Sequence, residues 1–99
     1  MLLKTIALST VADIIAAVTG SYIKVWKIQM SLDGTGTGTV HAGTAGTGND
    51  LISASCVAGS QVVMDYSTVG GYRLPISTAL KGTASAGNMK GVVYYTISP

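Results

Sequence analysis

The run Tyr22-Ile-Lys-Val-Trp-Lys-Ile-Gln-Met-Ser-Leu32 restricts the fold of this chain more than any other stretch. Trp26, Ile28, Met30 and Leu32 fall at alternate positions, with Lys27, Gln29 and Ser31 between them. A period of two puts apolar side chains on one face and polar ones on the other, the pattern of a half-buried β-strand. Ile23 and Val25 have the opposite parity. Either the first half is apolar on both faces, or a β-bulge near Val25 and Trp26 shifts the register by one. The expectation is that Trp26 to Leu32 pack inside, while Tyr22 and Lys24 lie at an edge facing a neighbour. The strand runs into Asp33-Gly34, a strong hairpin signal.

Before it, residues 5–18 hold Leu8, Val11, Ile15 and Val18 at helical spacing, so a helix is one reading. The density of Thr, Val and Ile and the turn-like Thr19-Gly20-Ser21 favour the other, extended structure. That reading gives a short arm near residues 5–9, then a strand near 13–18 turning back along Tyr22–Leu32. Residues 1–20 are thus an arm and first strand, and 21–99 the body of one domain. Lys4 followed by apolar residues imitates a secretory signal, which makes a cleaved leader the alternative. Asp13 interrupts that run, and it is too short to span a bilayer.

After it, threonine favours strand and glycine weakens it, so one irregular strand is expected near residues 37–43, followed by a mobile loop to Asn49-Asp50. Residues 51–57 alternate, with Ile52, Ala54 and Cys56 on one face. Ala58-Gly59-Ser60 turns the chain. Val62, Met64 and Tyr66 then oppose Gln61, Val63 and Asp65. Residues 67–77, with Gly70-Gly71 and Pro75, read as a long irregular crossing. A strand over 78–85 has Leu80 and Ala84 inward and Lys81, Thr83 and Ser85 outward. Ala86-Gly87-Asn88 reads as a tight turn before a last strand, 89–98. Its Val92-Val93-Tyr94-Tyr95-Thr96-Ile97 is apolar on both faces, so it is central or lies under a partner. The total is roughly seven or eight short strands and no substantial helix. The fold class is all-β: an antiparallel β-sandwich of jelly-roll type.

Composition bears on how that sandwich is covered. Of 99 residues, 47% are hydrophobic and only 10% charged, with no Phe; an ordinary soluble domain has roughly 25% charged residues. So few charges cover a small domain poorly; Ser, Thr and Gly fill part of that gap, and the remainder suggests surface buried against other chains. The net charge of +2 is scattered, with none of the clustering or basic–aromatic interleaving of a nucleic-acid footprint. Cys56 is the only cysteine, which excludes an intrachain disulfide and a cysteine-based metal site. It falls on the apolar face of its strand and reads as a buried small hydrophobe.

Chemistry-bearing motifs are scarce. The Gly-Thr repeat between Gly34 and Gly48 has neither the Gly-Lys-Ser/Thr nor the following helix of a phosphate loop. Asp33 alone does not make a calcium loop. Ser, His41 and Asp50 can be written as a triad, but nothing resembles a nucleophile elbow and the surrounding loop is too glycine-rich to hold a base. His41 reads as an exposed or interface side chain. No enzyme, cofactor, metal or small-molecule substrate is expected. Tyr72-Arg73-Leu74-Pro75 combines aromatic, cationic and rigid residues and is the first loop to suggest a partner contact, with a plain surface crossing as the equal alternative. With Tyr22, Lys24, Tyr94 and Tyr95, Tyr72 and Arg73 complete the candidate subunit or capsid contacts. Trp26 and the tyrosines also suit a sugar-stacking platform, although packing is the commoner use of such rings.

From about Ser21 to Ser98 the chain resembles the small β-sandwich proteins of tailed-phage structural modules. The likeness rests on Tyr22-Ile23-Lys24-Val25-Trp26, the glycine- and threonine-rich stretch after it, and Val62-Val63-Met64-Asp65-Tyr66. Gly71-Tyr72, Ala79-Leu80 and Gly91-Val92-Val93-Tyr94-Tyr95 complete it. The long Gly-Thr stretch and residues 11–18 depart from the pattern. Such proteins are similar to capsid decoration, or cement, proteins. That implies a non-enzymatic protein made in the host cytoplasm and placed on the outer surface of the virion. There it would be a homotrimer bridging major capsid protein subunits, with no nucleic-acid or membrane partner. A carbohydrate-binding module of a phage head or tail fibre, using exposed Trp26 or Tyr72, is the alternative.

Overall fold

The computed structural model describes residues 1–43 and 50–99. The second half of the Gly-Thr stretch, 44–49, lies outside the described residues, as does the expected mobile loop. Among the described residues seven strands follow in chain order: β1 (Leu2–Ile15), β2 (Tyr22–Leu32), β3 (Gly36–Ala42), β4 (Asp50–Cys56), β5 (Gln61–Asp65), β6 (Tyr72–Arg73) and β7 (Leu80–Ser98). Among the described residues the helical structure is one 3-10 turn, Ser67–Val69. The all-β expectation is therefore borne out, as one antiparallel sheet nearly closed into a barrel-like shape.

The closure comes from two long strands that bend. The first half of β7 pairs with β3 and with the end of β1. Its second half pairs with β2 and with the start of β1. One leaf is therefore β4-β3-β7-β1, and the other is β1-β7-β2 continued by β5 and β6. At the bend β1 passes from Ser9 to Val11 while β7 passes from Asn88 to Thr83. One residue of β1, Thr10, thus faces four of β7, Ala84 to Gly87. Thr10 and Gly87 both have positive φ, 56° and 64°, the sharp local turn that an extended strand lacks.

The two leaves enclose a single core. Ile6 and Leu8 of β1, Val25, Ile28, Met30 and Leu32 of β2, Val40 of β3, Ile52 and Cys56 of β4, and Leu80, Met89 and Val93 of β7 are all buried. The inward faces read from residues 51–57 and 78–85 are the observed ones, and of the alternating set in 61–66, Val62 and Tyr66 pack against the core while Met64 is exposed. Cys56 is a buried free thiol, as its parity implies. On the side away from β1, the Tyr66 hydroxyl donates to the Leu51 carbonyl at 2.8 Å, joining the two leaves. Tyr66 also lies 5.6 Å from Tyr72, ring centre to ring centre. Burial, then the neighbouring Tyr72, pushes the Tyr66 hydroxyl above its usual pKa.

Three expectations about connections are corrected. Asp33-Gly34 does not close a hairpin, because the two sides of β2 are taken by β7 and by β5 with β6. The dipeptide instead crosses from one leaf to the other. Ala86-Gly87-Asn88 is not a turn between two strands. It is the bend within β7, kept in line because β1 runs beside both halves. The N-terminal segment is extended as read, but it is one strand that pairs with β7 and not with β2. The turn at residues 18–21 is present, with Ser21 N–H donating to the Val18 carbonyl at 3.0 Å. Finally, β7 is central, as a strand apolar on both faces should be.

Candidate functional site

The register change expected in β2 is present, between Val25 and Lys27. Ile28, Met30 and Leu32 pack inside as expected, but Trp26 does not, and Lys24 is paired on both sides, with Arg73 and Thr96, not placed at an edge. Ile23 and Val25 point inward before it, Ile28, Met30 and Leu32 after it, and Trp26 is the extra residue. Trp26 therefore stands on the outer face with Lys27, not in the core. Bulges often re-aim a side chain in this way near functional surfaces.

The indole is held from two directions. Its Nε1–H donates to Thr96 Oγ1 at 3.1 Å, and the Lys24 ammonium sits 4.9 Å from the ring centre. Lys24 is in turn pinned against Gly71, where an added Cβ would come within 2.9 Å of its side chain. Next to this pair the Arg73 guanidinium lies 4.6 Å from the Tyr22 ring. Tyr22, Lys24 and Arg73, three of the contact residues read from sequence, thus form one cationic–aromatic patch on this face.

Tyr94 belongs to the same face in a second row. Leu3, Tyr94, Lys27 and Asp65 are directly opposed across β1, β7, β2 and β5. Together with Met1, Trp26 and Ser67, the last three line a shallow depression of about 350 Å³. Asp65 Oδ1 accepts the Ser67 N–H at 2.8 Å and the Ser67 hydroxyl as well. Those bonds, with the charge of Lys27 behind them, hold the Asp65 carboxyl below the usual aspartate range. It is a carboxylate at neutral pH. The remaining candidates, Tyr72 and Tyr95, turn the other way: both pack, half-buried, against the core, so little of either ring is left for a partner.

On the first leaf, sequence reasoning misplaced His41. It is not exposed: only 1% of its surface is accessible, although it alternates with the core residues Val40 and Ala42 and so faces outward. Its Nδ1 lies 2.7 Å from the Gly43 carbonyl, which can only accept, so Nδ1 carries the proton of the neutral ring. Nε2, 2.8 Å from Thr83 Oγ1, then accepts from that hydroxyl. The expected loop that could not hold a base is in fact a strand that clamps the imidazole at both nitrogens. Asp13, Lys81, His41 and Asp50 make a directly opposed row across β1, β7, β3 and β4, and Lys81 reaches Asp13 at 3.5 Å. Both partners of that pair are about half exposed, so its worth to stability is small.

The chain matches no protein-family model, no curated protein and no solved structure.

Proposed function

We propose that this chain is a non-enzymatic structural protein of a phage virion. It decorates the outer capsid as a homotrimer and stabilises the shell by bridging major capsid protein subunits. The reading rests on the sequence resemblance and on one feature of the fold. β1 is fourteen residues long, and among the described residues its only partner strand is β7. Its other edge offers main-chain N–H and C=O groups along both leaves. Leu2, Leu3 and Val11 on this strand are each more than half exposed.

An open edge of that length is a template for a further strand. Lys4, Asp13 and the bend at Thr10 interrupt it, which disfavours endless stacking but leaves room for one defined neighbour. Three copies repeating a single contact around an axis satisfy each edge once. Binding only to the assembled lattice then lowers the free energy of that state by mass action, and three weak contacts per trimer reinforce one another through effective concentration.

Light scattering on the purified protein, with thermal melting of undecorated capsids in its presence, tests the reading. A trimer that raises the capsid melting temperature supports it. A monomer that leaves capsids unchanged ends it.

A further inference from the structure

The depression beside Trp26 has a composition that edge pairing does not use. An indole fixed by Thr96 and Lys24 stands beside Tyr94, and around both are a carboxylate, an ammonium and a hydroxyl from Asp65, Lys27 and Ser67. Lys24 is not among the residues lining the depression. The polar groups also have capacity to spare. Asp65 uses Oδ1 for both bonds to Ser67, leaving Oδ2 to accept. The Tyr94 hydroxyl and the Lys27 ammonium have no hydrogen-bond partner among the described residues.

We infer that this depression is a binding site for a neutral saccharide, one pyranose ring stacked on Trp26 and Tyr94 with its hydroxyls bonded to Asp65 and Lys27. A sugar ring has an apolar face of C–H groups and a rim of hydroxyls, each both donor and acceptor. The site offers two aromatic side chains, an acceptor and a donor. Among the residues lining the depression the charges of Lys27 and Asp65, facing each other across β2 and β5, offset one another, while Lys24 and Arg73 stand outside that lining. The volume is that of a small ligand site and suits one or two rings. The proposed sugar contacts use Trp26, Tyr94, Asp65 and Lys27 and no main-chain group of the β1 edge, so sugar binding is tested separately from the capsid reading.

Trp26 is the only tryptophan, so intrinsic fluorescence reports the site directly. The full chain is titrated with glucose, galactose, mannose and N-acetylglucosamine, and with cellobiose, lactose and chitobiose. At least one sugar is expected to give a saturable change in Trp26 emission, with a Kd of about 1 mM or tighter. Asp65→Asn and Tyr94→Ala are each expected to weaken that binding about tenfold, because a buried hydroxyl loses its partner or the stacked ring its wall. Circular dichroism verifies that each variant is folded, and Lys27→Gln replaces either one that is not. No saturable change up to about 50 mM of any sugar overturns the inference. So does binding that the folded variants leave unchanged.

Discussion

The Asp33 carboxylate holds Asn88 twice, accepting its main-chain N–H at 2.6 Å and its side-chain amide at 3.2 Å. The Asp33 N–H in turn donates to the Asn88 carbonyl at 3.1 Å, and the Lys90 ammonium lies 3.9 Å from the carboxylate. This clasp joins the end of β2 to the bend of β7, where the sheet folds over onto itself.

The bond from the Asn88 N–H, assisted by the Asn88 amide and Lys90, holds the Asp33 carboxyl below its ordinary value of 3.8. A carboxyl lowered in the folded state contributes stability that is fully present above 3.8 and is lost as pH falls through the folded value. Asp33→Asn keeps an acceptor for the Asn88 N–H but cannot titrate. Its melting temperature is expected to lie below that of the wild type at neutral pH, with the gap narrowing as pH is lowered from about 5 to about 2. Thermal melts across that range measure it. A gap that is constant with pH refutes the role given to the charge.

His41 and Thr83 are expected to behave as one unit. His41→Leu leaves the Gly43 carbonyl and the Thr83 hydroxyl without their partner, and Thr83→Val leaves a buried ring nitrogen unpaired. Each is expected to cost about 1–3 kcal/mol in urea unfolding. The double variant should cost less than the sum of the two, with a coupling of about 1 kcal/mol or more. Strict additivity contradicts the bond between them.

Two glycines with positive φ should respond very differently to alanine. At Gly91, φ is 149° and an added Cβ would lie 1.9 Å from the Gln29 carbonyl oxygen, inside the β2–β7 pairing. Gly91→Ala is expected to cost more than about 3 kcal/mol and to leave little folded protein. At Gly59, φ is 84° with open space around the Cβ, so only the backbone strain of about 1 kcal/mol is felt. Equal melting temperatures for the two variants count against the close approach at Gly91.

If copies meet along β1, lysine at Leu3 or Val11 should break the assembly without breaking the subunit. Both side chains are 57% exposed, so each substitution is expected to change subunit stability by no more than about 0.5 kcal/mol. Light scattering should then report monomers, with the circular dichroism spectrum unchanged. Trimers that tolerate both lysines place the contact elsewhere.

Much of the fold was legible in the residues. Alternation located β2, β4 and β5 and identified which side chains of β4 and of the first half of β7 point inward, because period two is a property of the backbone itself. The conflict of parity between Val25 and Trp26 marks the bulge in the sequence alone. The candidate site was legible in part: Tyr22, Lys24, Arg73 and Tyr94 do share one face, whereas Tyr72 and Tyr95 lean inward.

By itself, then, the sequence determined that the chain is all-β, which stretches are extended, and where the parity of β2 changes. Only the tertiary structure decided that Asp33-Gly34 crosses between leaves, that Trp26 stands outside with Asp65 and Tyr94, and that His41 is buried. The reason is physical. Side-chain alternation is local and separates two faces, but it does not say which face is covered. Strand pairing is a competition among distant segments for the same N–H and C=O groups, and β7, bent at Gly87, won the places that a hairpin from Asp33-Gly34 would have filled.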